Sequence, residues 1–224
     1  MPASETTRER LMSAAFALFE ERGYEAASVE DIAARAGVGR TTAFRQFGSK
    51  EALIFPDHRA LLRRADARLS AASAEAIPAE VISVATSVFD HYLAEGDRAR
   101  ARYRLTTSVP VLRDFETTTV SRYVRLFSAH LDRAMPDDWN GSLRAEMFAN
   151  AVVTAHNHVL RRWLRGDTDD PKPDLMEALA LPWTILHGTP KVQTAVIVMT
   201  TDEPIESLGP RLRTVIADAA PKRP

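Results

Sequence analysis

Arg35-Ala36-Gly37-Val38-Gly39-Arg40-Thr41-Thr42-Ala43-Phe44-Arg45-Gln46-Phe47-Gly48-Ser49-Lys50 is the stretch on which the reading of this chain turns. It carries Arg35, Arg40, Arg45 and Lys50 and no acid. A short amphipathic segment, Ser28 to Ala36, precedes it, and Ala36-Gly37-Val38-Gly39 forms a tight turn between the two. A helix, a glycine turn and a second short helix with polar and basic residues make the layout of a helix-turn-helix that enters a DNA groove.

The flanks agree. Leu11, Ala15, Leu18 and Phe19 share one helical face. Gly23 is placed as a C-terminal cap. Ser28 is a natural N-cap, with Asp31 three residues on as a shortened capping box. Val29, Ile32, Ala33 and Ala36 form the inner face of the second helix. Gly37 allows the positive φ of a sharp turn between helices. Ala43, Phe44 and Phe47 are expected to anchor the third helix, and Ser49 to cap a fourth that begins at Lys50-Glu51.

Gly23-Tyr24, Ser28-Val29-Glu30-Asp31-Ile32-Ala33, Ala36-Gly37-Val38, Thr42-Ala43-Phe44-Arg45-Gln46-Phe47 and Ser49-Lys50-Glu51-Ala52-Leu53 occur in order and at fixed spacing. The series from Thr6 to Leu53 resembles the DNA-binding domain of TetR-type repressors. The resemblance implies a DNA-contacting set of Ser28, Arg40, Thr41, Thr42, Phe44, Arg45, Gln46 and Lys50. Two positions depart from the family pattern. Gly39 stands where a serine is usual, which weakens the helix start by a few tenths of a kcal/mol. Phe44 replaces a tyrosine, which removes a phosphate-contacting hydroxyl. Arg40, Thr41 and Thr42 open the recognition helix, where side chains meet base edges; Arg40 suits guanine, and the threonines a thymine methyl or a phosphate.

Composition sets limits on the rest. At 224 residues and 45% hydrophobic content the chain can bury a substantial core. With no cysteine, neither disulfides nor thiolate metal sites can form. No apolar signal region opens the chain, and its longest uncharged run, residues 178–190, is far shorter than the ~20 residues that span a bilayer. A cytoplasmic protein with no membrane contact is the expectation. Net charge is −1, and positive charge concentrates between Arg35 and Lys50, which suits docking in one groove better than coating of DNA.

After Leu53 the pattern predicts helix after helix, so the expected fold is all-α. One segment runs from Lys50 to about Ala74, with Pro56 inside it as a kink or split. Helices follow over 78–93, 97–107, 111–135, 142–164 and 174–181, with loops over Asp137–Gly141 and Gly166–Pro171. Lys191 to Thr201 is rich in β-branched residues and reads as a short strand, with a further helix over 204–219. The expected division is 1–53 as the DNA-binding domain, 54–187 as a helical ligand-binding and dimerisation domain, and 188–224 as a C-terminal extension.

A second resemblance covers the middle. Phe55-Pro56-Asp57-His58-Arg59-Ala60-Leu61-Leu62, Arg102-Tyr103-Arg104-Leu105 with Val109-Pro110-Val111-Leu112-Arg113, and Arg161-Arg162-Trp163-Leu164-Arg165-Gly166 are similar to the ligand domain of mycofactocin-regulator-type TetR proteins. That group is described as binding acyl-CoA-like ligands, so the resemblance implies an acyl-CoA-like effector. Residues 78–164 hold many apolar positions and a thin polar set: His91, Tyr92, Tyr103, Tyr123, His130, Asn150 and His156. Tyr92, Tyr103, Arg104, Tyr123 and Asn150 are the candidate ligand-binding residues, with a head group near Arg98 to Arg104 and Pro56 as the hinge to the reader. On a helix the pairs 98/102 and 100/104 lie on adjacent faces, so the four arginines cannot share one pocket. His156 and His158 diverge, which argues against a metal, and Trp163 is expected at a helix contact.

No Gly-x-Ser-x-Gly elbow, phosphate loop, His-Glu-x-x-His or cysteine nucleophile is present, so no enzyme and no cofactor are expected. One recognition helix reads too few base pairs for useful specificity, which calls for a homodimer on an operator, joined through the helices after Ser142 and Asp174. The expectation is a repressor released from DNA by a lipophilic effector. The alternatives are a TetR-type regulator of a drug or secondary-metabolite exporter and an effector-independent architectural DNA-binding protein.

Overall fold

The computed structural model describes residues 6–187, and among these there is helix and turn but no strand. The expected strand and the helix after it lie outside the described residues. In order, the helices are α1 (Thr7–Arg22), α2 (Val29–Arg35), α3 (Arg40–Phe47), α4 (His58–Ala71), α5 (Ile77–Glu95), α6 (Asp97–Ser108), α7 (Pro110–Asp132), α8 (Trp139–Arg165), α9 (Lys172–Ala180) and α10 (Trp183–His187). Short 3-10 turns occupy Glu51–Leu53 and Ala74–Ala76.

The caps explain the small N-terminal helices. Thr6 and Glu9 close a capping box at α1, and Ser28 and Asp31 close one at α2. Gly37 takes φ +65° between α2 and α3, a conformation that costs a residue with a Cβ about 1 kcal/mol or more. Gly39 caps α3 with no side-chain bond, as its lack of a side chain requires.

Two apolar cores result. The smaller gathers Leu11, Ala15, Leu18 and Phe19 of α1 with Ile32, Ala33, Ala43 and Phe47. It also takes in Leu53, Ile54 and Phe55 of the connector and Leu112 of α7. The larger lies among α5, α7 and α8, centred on Phe89, Phe127, Phe148 and Val152, with α4 and α9 closing its flanks. Trp163 belongs to it, and the Arg100 guanidinium lies 5.1 Å from the Trp163 ring, as expected for a helix contact.

The structure changes three expectations. No fourth helix begins at Lys50-Glu51. Ser49 caps a single 3-10 turn, its hydroxyl accepting from the Ala52 N–H, and Pro56 lies in the gap before α4, not within a helix. Asp57, the residue after Pro56, is the true N-cap, accepting from the Ala60 N–H at 3.0 Å. Phe44 is 40% exposed; only Ala43 and Phe47, four residues apart, face the core, and Phe44 is turned about 100° from Ala43. Finally, α8 starts at Trp139, inside the expected loop, because Asp138 caps it by accepting from the Gly141 N–H at 2.6 Å. A Cβ at Gly141 would lie 2.0 Å from the Pro136 carbonyl oxygen, so only glycine allows this close start.

Candidate nucleic-acid interface and ligand cavity

The outer face of α3 presents Arg40, Thr41, Phe44, Arg45 and Gln46 to solvent, with Thr42 half-buried behind them. Arg40 rests against Glu30 of α2 at 2.6 Å, and its guanidinium lies 5.4 Å from the Phe44 ring. Both Arg40 and Glu30 are well exposed, so this pair is weak and can open to a base edge. Ser28 is occupied with its cap: its hydroxyl donates to Asp31 and accepts from the Asp31 N–H. Arg35 is spent inside the fold, on a two-pronged pair with Glu21 at 2.6 and 2.8 Å that ties α2 to α1. The Lys50 ammonium donates to the Tyr24 carbonyl and lies 4.0 Å from the centre of the Tyr24 ring. Tyr24 in turn donates its hydroxyl to Glu51 at 2.9 Å. Lys50 therefore fastens the 3-10 turn to the end of α1. Of the basic stretch, Arg40 and Arg45 are the residues best exposed for DNA.

A narrow cavity of about 590 Å³, counting its open mouth, lies between α4, α5, α7 and α8. Phe55 and His58 form its wall toward the reader; α5 contributes Ala85, Val88 and Tyr92. Helix α7 adds Glu116, Thr119, Val120, Tyr123 and Phe127, and α8 adds Val153, His156, Asn157 and Leu160. Glu116 is the one charged residue among these lining groups. Its free interior is about 60 Å³, smaller than a typical small-molecule site, while its lining has the usual character of one, apolar with few polar groups.

Those polar groups are ordered. The His58 Nδ1 lies 3.2 Å from the Tyr123 hydroxyl, and its Nε2 lies 3.5 Å from the Tyr92 hydroxyl. Burial, reinforced by the Arg102 charge, pushes His58 down to about 3, so the ring is neutral. Burial likewise raises Tyr92 to about 12 and drives Tyr123 upward, so both keep their protons. His156 is pushed down to about 4 by burial and is neutral too. Its Nδ1 lies 3.0 Å from the Asn157 Oδ1, and its Nε2 is buried with no hydrogen-bond partner among the described residues.

Of the five expected ligand-binding residues, Tyr92 and Tyr123 line this cavity and Tyr103, Arg104 and Asn150 do not. Arg104 is exposed on α6. Asn150 sits on the outer face of α8, one residue past the buried Ala149, and its amide donates to the Glu146 carbonyl at 2.8 Å. Arg102 is 3% exposed and does not line the cavity; its Nε donates to the Ile54 carbonyl and its Nη2 to Glu95 at 2.7 Å, while its Nη1 is buried without a partner among the described residues. Arginines do border the cavity elsewhere. Arg59, Arg63 and Arg122 line an open groove that shares Phe55, His58 and Thr119 with the cavity, and among the described residues none of the three has an ion-pair partner. Sequence reading missed His58, Glu116 and Asn157. A signal for His58 was there: it falls on the stripe of Leu62, Ala65 and Leu69, a polar residue where the spacing calls for an apolar one.

Comparison with known proteins agrees with this architecture. Residues 11–55 match the model of bacterial regulatory proteins of the tetR family. Over that segment the chain is similar to bacterial regulatory proteins of the tetR family. It is 27% identical over 191 residues to a Mycobacterium tuberculosis protein assigned as the mycofactocin biosynthesis transcriptional regulator MftR, a match covering 81% of this chain and 89% of that one. Among solved structures, a TetR-family regulator of Syntrophomonas wolfei superposes with TM-score 0.60 at 15% identity, over 84% of this chain and 98% of that one. The complex of Stenotrophomonas maltophilia SmeT with triclosan does so with TM-score 0.58 at 20% identity, over 80% and 90%. No helix of the described residues is long and apolar enough to cross a membrane.

Proposed function

We propose that this chain is a cytoplasmic repressor that binds operator DNA as a homodimer and leaves it when a lipophilic, acyl-CoA-like effector enters the cavity. Residues 1–53 serve as the reader, and residues 54–187 bind the effector and the second copy. The observation that carries this reading is the double role of Phe55. It is 2% exposed, belongs to the reader's core, and forms part of the cavity wall. Its ring stacks on Phe115 of α7 at 4.8 Å, three residues from Leu112, which is buried in the same core. A molecule that displaces Phe55 or His58 therefore changes how the reader is seated. Packed cores switch between discrete arrangements, so a small shift there becomes a change in reader spacing. If the new spacing misfits two half-sites about one DNA turn apart, DNA is released.

The effector class rests on the apolar lining and on the neighbouring groove. An acyl chain suits the cavity, and the anionic head group suits Arg59, Arg63 and Arg122. The dimer rests on a second surface. Trp139, Leu143 and Met147 recur every four residues on α8 and are exposed, and Met176 of α9 is exposed too. Such a stripe on two packed helices fits an isologous interface with another copy.

The test is fluorescence anisotropy with DNA from upstream of this chain's own gene. Two copies of the protein should bind one duplex, and lauroyl-CoA should weaken binding at least tenfold. A chain that binds no duplex above its non-specific level, or that binds lauroyl-CoA without any change in DNA affinity, overturns the proposal.

A further inference from the structure

The cavity carries more polar information than an apolar chain needs. With Asn157 turning its Oδ1 to the His156 ring, the contact is satisfied by the tautomer that carries its proton on Nδ1. The other nitrogen, Nε2, is then a lone-pair acceptor. It is buried, it belongs to a side chain that lines the cavity, and no group among the described residues donates to it. Such an acceptor costs stability unless a donor reaches it.

The opposite need is present at the reader side. A neutral His58 ring has one N–H and one bare nitrogen. One of the two tyrosine hydroxyls must therefore accept from the ring, and that hydroxyl keeps its own proton to give away. The cavity thus offers one acceptor without a donor and one donor free to turn inward.

We infer that the part of the effector buried in this cavity carries a neutral hydroxyl group, an alcohol or a phenol, which donates to His156 Nε2. Its oxygen can accept from the free tyrosine proton. A ketone, ester or ether meets only the tyrosine; a carboxylate meets no cation among the lining residues. An ammonium would meet Glu116, which is exposed by area but whose carboxyl is pushed upward by burial, so its charged form is disfavoured relative to a free carboxylate. This inference rests on the reading of the cavity as the effector site. It deepens that reading by naming the group recognised: for an acyl effector, a hydroxylated chain.

The experiment compares matched probes by calorimetry on the full chain: 1-decanol against decyl methyl ether, and 4-hexylphenol against 4-hexylanisole. In each pair a methyl group replaces the donated proton. The hydroxyl member of at least one pair should bind at least about tenfold more tightly, the size expected for a buried acceptor satisfied or left bare. His156→Phe keeps an aromatic ring and removes the acceptor. It should cut that preference to under about threefold while the ether binds as well as before. An independent reading uses the wild-type chain: the ¹⁵N signal of His156 Nε2 should move upfield with decanol and stay in place with the ether. Equal affinity within both pairs, a preference that survives His156→Phe, an unmoved Nε2 signal, no binding by any probe, or tighter binding of decylammonium than decanol each overturns the inference. Operator binding and its release by lauroyl-CoA are measured alongside. Release intact with no hydroxyl preference sinks the hydroxyl inference alone, whereas loss of release with every compound sinks the effector reading itself.

Discussion

Replacing Arg102 by leucine is the sharpest test of how the cavity domain holds the reader. The guanidinium is buried on α6, donates to the carbonyl of Ile54 in the connector, pairs with Glu95 of α5 at 2.7 Å, and lies 5.4 Å from the Tyr92 ring. Glu95 is itself only 12% exposed. Arg102→Leu therefore leaves a carboxylate and a carbonyl buried without their donor. Breaking one side of such a pair costs about 3–5 kcal/mol, far more than an exposed ion pair is worth. Removing both charges is a different matter: the double variant Arg102→Leu, Glu95→Leu retains only the orphaned carbonyl, a penalty of about 1–3 kcal/mol. Urea unfolding of the two single variants and the double at neutral pH measures this. The expected result is strong non-additivity, with the double more stable than Arg102→Leu alone. A loss below about 1 kcal/mol in Arg102→Leu, or a double variant that simply adds the two single losses, would refute the argument that this pair clamps the connector.

Three further outcomes are expected. Because burial holds His58 at about 3 and His156 at about 4, the unfolded chain takes up protons below its ordinary value near 6.5 while the folded chain does not. Stability should therefore fall as pH drops from about 6.5, by about 2 kcal/mol per histidine at pH 5, and His156→Phe should flatten that slope in a melting series; an unchanged slope would contradict the assignment. Arg40→Ala should lose about 1–3 kcal/mol of discrimination at one operator position, seen by titrating the operator against point-mutant sites, and unaltered discrimination would remove Arg40 from base reading. Lys50→Ala should lower the melting temperature by loosening Tyr24 from the 3-10 turn, with the salt dependence of DNA binding unmoved; a salt slope smaller by about one unit would instead mark Lys50 as a phosphate contact.

Much of the architecture was legible in the order of residues because its causes are local. Ser28 and Asp31 write a helix start and Gly37 a turn, through features within a few residues, whereas the cap at Asp138 lies in a stretch that reads as loop. Apolar spacing placed α5 to α9 within a few residues of their observed ends for the same reason. The recognition helix could be found this way, since its exposed face is set by its own periodicity. Which polar residue faces which space depends on helices far apart in the chain. His58 meets Tyr123 across 65 positions, Arg102 meets Ile54 across 48, and a single 100° step on α8 turns Asn150 outward from the buried Ala149. Nothing nearby in the sequence distinguishes Arg102, buried and bound, from Arg104, exposed. The sequence by itself determined the helices and the reader. Only tertiary packing decided which side chains border the cavity, because burial and hydrogen-bond partners are properties of facing surfaces and not of any one of them.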